Sequence, residues 1–173
     1  VVGEPYCRAE CVCDTGYTGS YCAVKSANLT SEMETRRTLC GALNGTMATR
    51  DINALEIVTI VDSVSQIFGD ITLVDEDTLE LCTGIVTGLV QDYNAETVGD
   101  DAIEAILTVL DNVLDAPSLT TALFERINIA ISALGEGRRN AMTLASDPYT
   151  TIRPNFRILV AVTYTVDYSS GVE

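Results

Sequence analysis

From residue 31 to residue 137 the apolar residues recur at every third or fourth position, the period of helices with one buried face. Beyond Arg138-Arg139 the period falls to two. A short polar connector, Ala23–Leu29, leads into the first helical stretch, which opens on Ser31-x-x-Glu34, the form of a capping box. Met33, Cys40 and Leu43 share one face of it, and Asn44-Gly45 marks its end. A second begins near Asp51 and carries Ile52, Leu55, Val58, Val61, Val64 and Phe68 up to Gly69. Its Ile and Val content suits a strand, but the stripe is too long for one and predicts a helix. A third starts around Asp75, with Leu79, Cys82, Val86, Leu89 and Tyr93 on one side. A fourth runs from Asp101 to about Leu114 through Ile103, Ile106, Leu107 and Leu110. The fifth opens at Pro117, a residue suited to a first helical turn. It carries Leu119, Leu123, Ile127, Ala130, Ile131 and Leu134 until Gly135 and Gly137 stop it. Each stretch has one wide apolar stripe, so about five helices form a bundle with its own core.

The C-terminal stretch reads differently. In Phe156–Val166, the residues Phe156, Ile158, Val160, Val162, Tyr164 and Val166 alternate with Arg157, Leu159, Ala161, Thr163 and Thr165. Period and β-branched content both predict a strand. Ala141–Ala145 is the candidate partner strand, with Asp147-Pro148 and Arg153-Pro154-Asn155 as turns. Two strands alone are marginal in water. The long strand is therefore expected to take partners from residues beyond Glu173, from another copy, or from another protein. Phe156, Ile158, Val160, Val162, Tyr164 and Val166 are its candidate assembly positions. The expected fold is α+β and mostly α: a small disulfide-bonded unit at 1–23, a connector at 24–30, the bundle at 31–137, and at 138–173 β-strands of a larger β-domain or assembly.

Composition narrows the class. With 47% hydrophobic and 20% charged residues over 173 positions, the chain is globular and long enough for one core and a small satellite. A net charge of −15 sets it against nucleic acid and anionic membrane surfaces and gives it a solvated exterior. Asp75-Glu76-Asp77 and Asp100-Asp101 are its dense acidic clusters, and calcium is their functional alternative. Neither has the spacing of an EF-hand loop. Both stand where helical patterns begin, and there carboxylates cap free N–H groups and complement the helix dipole. No apolar run approaches the ~18 residues of a membrane span. The chain starts at Val1 rather than Met and shows no signal peptide, which leads us to expect a piece processed or cut from something longer.

The chain contains no histidine. That removes the commonest general base, the triads that depend on it, and most zinc sites. There is no G-x-S-x-G, no phosphate-cradling glycine loop and no dinucleotide fingerprint. A glycosidase-like carboxylate pair would lack the tryptophan platform that sugars favour, since the chain has no Trp. No catalytic residue, cofactor or metal ligand is expected.

The six cysteines carry more information. Cys40 and Cys82 lie on the apolar stripes of the first and third helices. If both helices face one core, a disulfide can join them, and a loop of that length would add roughly 3–4 kcal/mol. Two buried free thiols are the alternative. An even cysteine count and two sequons, Asn28-Leu29-Thr30 and Asn44-Gly45-Thr46, point to the secretory pathway, an extracellular or cell-surface location and N-linked glycans.

Residues 11–22 read CVCDTGYTGSYC. Gly16 and Gly19 sit where a short loop between Cys13 and Cys22 must turn tightly, and Tyr17 between them can cover the bond that closes it. This stretch resembles the C-terminal half of an EGF-like module, with Cys11, Cys13 and Cys22 in the places of the family's fourth, fifth and sixth cysteines. The likeness covers about a tenth of the chain. It departs from the family in the short gap between Cys7 and Cys11 and in the absence of two earlier cysteines, so the module enters half-way. The resemblance implies a Cys13–Cys22 bridge. Cys7 and Cys11 would pair with the missing cysteines; here they are either bonded to each other or mark a truncation. Cys11-x-Cys13 also has the form of a metal or redox pair, against which the EGF spacing argues for a structural disulfide.

An EGF-like module, then short helices, then a strand introduced by Pro154-Asn155-Phe156 is similar to the stalk region of adhesion receptors and polycystin-like proteins. There a helical subdomain precedes a β-sandwich in the GAIN domain. The resemblance runs roughly from Ser31 to the end. That family's self-cleavage site begins with a histidine, so autoproteolysis does not carry over. The expected function is that of a non-catalytic extracellular structural or assembly module, part of a larger glycoprotein stalk, fibre, filament or surface appendage. The alternative is an ectodomain fragment of an adhesion or polycystin-like receptor that binds a ligand and transmits signal or force. A transmembrane segment downstream would favour the receptor, and further EGF-like units or β-domains the fibre.

Overall fold

The computed structural model describes residues 11–47, 52–92, 99–143 and 146–162. Its order is β1 (Tyr17–Thr18), β2 (Val24–Lys25), α1 (Leu29–Met47), α2 (Ala54–Ile67), α3 (Glu76–Asp92), α4 (Asp100–Leu114), α5 (Thr121–Ala141), β3 (Tyr149–Ile152) and β4 (Arg157–Val160). Short 3₁₀ turns at Ser26–Asn28 and Ile71–Leu73 precede α1 and α3. The architecture is α+β and mostly α, with two small antiparallel sheets at either end of the described chain.

α3 and α4 are the interior of the bundle. α3 buries Leu79, Cys82, Ile85, Val86, Leu89 and Val90, and α4 buries Ile103, Ile106, Leu107, Val109, Leu110 and Val113. α2 packs on α4, while α1 and α5 pack on α3. α1 is the exception to wide apolar burial, because Cys40 is its one buried residue, with Leu43 and Met47 partly covered. That helix is held to α3 by the Cys40–Cys82 disulfide, whose Cα atoms lie 5.4 Å apart. Arg36 adds a hydrogen bond to the Ile67 carbonyl at the end of α2, and Arg37 an ion pair to Asp77 at 2.9 Å.

Several boundaries differ from those expected, each for an identifiable reason. α1 begins at Leu29 because the 3₁₀ turn at Ser26–Asn28 runs straight into it, so Ser31 lies inside the helix, its carbonyl accepting from Thr35 Oγ1 at 2.8 Å. The capping box stands instead at Asn53 and Glu56. Asn53 Oδ1 accepts from the amides of Leu55 and Glu56, and Glu56 Oε2 accepts from Asn53 N. With the start of α2 at Ala54, Leu55 faces solvent at 76% exposure, and the buried stripe is Ile57, Ile60, Val61, Val64 and Ile67. Asp51 lies outside the described residues. Asn44-Gly45 does not end α1, which continues to Met47. Pro117 does not open α5: it sits in the turn before it, and Thr120 caps the helix by accepting from Leu123 N at 3.2 Å. Gly135 and Gly137 do not stop α5, which runs on to Ala141.

The acidic clusters both stand at helix starts. Asp75 accepts from Thr78 N at 2.7 Å ahead of α3, and Asp100 and Asp101 form the first turn of α4. Among the described residues no three potential metal-ligating side chains group together, and no helix is long and apolar enough to cross a membrane.

Candidate assembly surface

The C-terminal strand has a partner, and it is not Ala141–Ala145. Ala141 ends α5, Leu144 and Ala145 lie outside the described residues, and the partner of β4 is Tyr149–Ile152. The run Tyr-Thr-Thr-Ile between two prolines carried the signal, since all four residues favour strands. β3 and β4 pair antiparallel, Tyr149 opposite Val160 and Ile152 opposite Arg157. β4 is shorter than the expected Phe156–Val166; of the expected positions, Tyr164 and Val166 lie outside the described residues.

The alternation within the strand holds where it can be seen. Phe156, Ile158 and Val162 are partly covered and Val160 is buried, whereas Arg157, Leu159 and Ala161 are exposed. Phe156 and Ile158 pack against the bundle core. Gly135 of α5 lies under Ile158 and Val160: a Cβ there would stand 3.9 Å from a methyl of each. A helical glycine thus marks the place where the hairpin seats on α5.

Polar groups on the same face fix the hairpin to α4. Tyr149 Oη donates to Glu104 Oε1 at 2.7 Å, and Arg153 forms an ion pair with the same carboxylate. The Arg138 guanidinium lies 4.7 Å from the Tyr149 ring centroid and pairs with Asp100. Burial, and after it the hydrogen bond to Glu104 and the charge of that carboxylate, pushes the Tyr149 phenol up to about 12 against the opposing pull of Arg138 and Arg153. Asp111, buried on α4, accepts from Asn155 N at 3.0 Å. The sequence does not single out Glu104, Asp111 or Tyr149; in it Arg153 and Asn155 are only turn residues, Asp100 is part of an acidic cluster and Arg138 is the point where the period changes. The available signal was Asp111 itself, a carboxylate at an apolar position of the α4 stripe, which needs a partner when buried.

The opposite face of the hairpin is open. Ile152 and Leu159 lie diagonally across the two strands on that face, at 65% and 72% exposure.

At the other end, Cys13 and Cys22 are bridged with Cα atoms 5.2 Å apart. Gly16 and Gly19 take φ of +93° and +92°. The loop docks on the 3₁₀ turn before α3: Asp70 accepts from Ser20 N and Ser20 Oγ, both at 2.8 Å, and from Thr72. Burial raises the Asp70 pKa, but these hydrogen bonds outweigh it and hold the carboxyl below its usual range. Cys11 is exposed and bonds to no described cysteine; Cys7 lies outside the described residues. The sequon asparagines Asn28 and Asn44 are both exposed, the first at the end of a 3₁₀ turn and the second on α1.

No protein-family model matches the chain, and neither a curated protein nor a solved structure does.

Proposed function

We propose that the chain is a non-catalytic extracellular assembly module, part of a larger glycoprotein stalk, fibre or surface appendage, and that it joins its neighbours through the β3–β4 hairpin. The observation that carries this reading is the hairpin's asymmetry. One face is clamped to the bundle by Glu104, Asp111 and apolar side chains. The other presents Ile152 and Leu159, and β4 has an edge without a partner strand among the described residues. Such a surface is an aggregation liability unless something covers it. Two disulfides and two exposed sequon asparagines support maturation in an oxidising compartment.

The receptor-ectodomain reading is favoured by one further feature. The N-terminal loop and the C-terminal hairpin are both tied by hydrogen bonds to the same helical block, so a load applied between them passes through the helices.

Native mass and cross-link mapping on the natural protein test the assembly reading. We expect cross-links from residues 149–162 to a second polypeptide, and a mass shift with endoglycosidase. A monodisperse single chain with no cross-link in that stretch would overturn it.

A further inference from the structure

Given that the hairpin is the joining point, as proposed above, its hydrogen-bond register identifies what it can join. Arg153 N donates to Phe156 O at 2.9 Å, so this is a bonded pair of the antiparallel ladder. Bonded and non-bonded pairs alternate. With the observed register, Thr151/Ile158 and Tyr149/Val160 are bonded pairs, and Ile152/Arg157 and Thr150/Leu159 are not. The main-chain N–H and C=O of Arg157 and Leu159 therefore point away from β3.

That edge opens on a groove of about 510 Å³ between β4 and α5. Ile131 and Gly135 form its floor beside Ile158 and Val160, and Glu136 and Arg139 on its rim neutralise each other at 2.9 Å. Arg157 is exposed and makes no ion pair among the described residues, so it supplies the one unbalanced charge at the groove.

We propose that the edge of β4 that has no partner strand among the described residues takes up an extended segment of a partner protein by strand addition. Its alternate residues are apolar, facing α5, and acidic, standing beside Arg157. A second copy of the hairpin does not meet this requirement: neither Tyr149–Ile152 nor Arg157–Val160 contains an acidic residue. Arg157 works against self-pairing and for an acidic guest, because like charges across a ladder repel and opposite charges attract.

The test uses the full 173-residue chain and three synthetic peptides: alternating Val and Glu, alternating Val and Lys, and the Val/Glu peptide N-methylated at alternate amides. Calorimetry gives affinity, and hydrogen exchange gives the site. The Val/Glu peptide is expected to bind and to slow exchange of the Arg157 and Leu159 amides, leaving Ile158 and Val160 unchanged. The lysine peptide should bind more weakly by about two- to fivefold per charge pair, and the N-methylated one should not bind. Arg157→Glu should reverse the charge preference. Leu159→Pro removes an outward N–H and leaves the inward ladder intact, so it should abolish binding while Ile158 stays protected. Equal affinity for the acidic and basic peptides, or no binding of either, overturns the proposal. Cross-links from residues 149–162 in the natural protein would in that case still uphold the assembly reading, with the open Ile152–Leu159 face as the contact.

Discussion

Asn155 and Asp111 form a two-point contact: the Asn155 amide donates to Asp111 Oδ1 at 3.0 Å, and Asn155 Nδ2 donates to the Asp111 carbonyl at 3.1 Å. A two-residue hairpin turn normally takes residues with positive φ, and no residue between Arg153 and Phe156 does so. The twist of the strands is then not matched by the turn itself. A helix carboxylate holds the turn in place instead, and the hairpin depends on the bundle.

Asp111→Ala should consequently loosen the hairpin selectively. The Asn155 amide loses a charged acceptor, which costs about 1–3 kcal/mol. Hydrogen exchange should show the Ile158 and Val160 amides opening while α3 and α4 remain protected. Uniform destabilisation of all five helices would contradict the local role.

The disulfide between Cys40 and Cys82 should have the opposite signature. α1 buries little else, so the bridge holds it to α3. Replacing both cysteines by Ala should lower stability by roughly 3–4 kcal/mol on the chain-entropy estimate, and α1 should become the first helix to exchange. Denaturant titration and exchange on the double variant check both statements. A loss spread evenly over the bundle would count against α1 being the dependent element.

That bridge was legible in the sequence because two cysteines stood at apolar positions of two periodic stretches. The helix interiors were legible for the same reason: periodicity reports burial directly. Helix ends were less so, since they depend on local competition. Pro117 suits a first turn, but the Thr120 hydroxyl offers a cap to Leu123 N, and the cap decides. Gly135 and Gly137 read as stops, yet a glycine on a packed helix face can be kept for close approach, as Gly135 is beneath β4. The clamp was not legible. Glu104, Tyr149 and Arg153 meet through tertiary packing, and only the misplaced polarity of Asp111 hinted at it. At the N-terminal end the glycine spacing announced a tight loop, but nothing in the sequence paired Ser20 with Asp70 across 50 residues.

Asp70 makes that N-terminal contact sensitive to acid. Its carboxyl is held below the usual range, so the unfolded state binds the proton more tightly than the folded state. Its contribution is complete above about pH 4 and is lost as the pH falls through the lowered value. The Ser20 amide, followed by NMR, should report undocking in that window, and Asp70→Asn should remove the pH dependence. Gly19→Ala should undock the loop at neutral pH. A Cβ there would lie 2.7 Å from Asp70 Oδ2, and the residue sits at φ +92°, a conformation costing a residue with a Cβ about 1–2 kcal/mol. A Gly19→Ala protein with the Ser20 amide still protected would show that the close approach is not needed.

The hairpin clamp should fail at the other end of the pH scale. The Tyr149 phenol is pushed up to about 12, so between its unfolded value near 10 and that figure the folded protein keeps a proton that the unfolded chain has lost. Stability from this group is therefore full below about pH 10 and is lost as pH rises toward about 12. Ionisation would place a phenolate against the Glu104 carboxylate, and Arg138 and Arg153 offset only part of that repulsion. Tyr149→Phe cannot ionise. It should lose about 1–2 kcal/mol at neutral pH, through the missing hydrogen bond to Glu104, and should show a shallower decline above pH 10 than the parent. The decisive quantity is the difference between the two proteins at each pH. Denaturant midpoints measured from pH 8 to pH 11.5 supply it. The two curves should converge as the parent loses the bond that the variant never had, and curves that stay parallel would show that Tyr149 does not hold the hairpin through its proton.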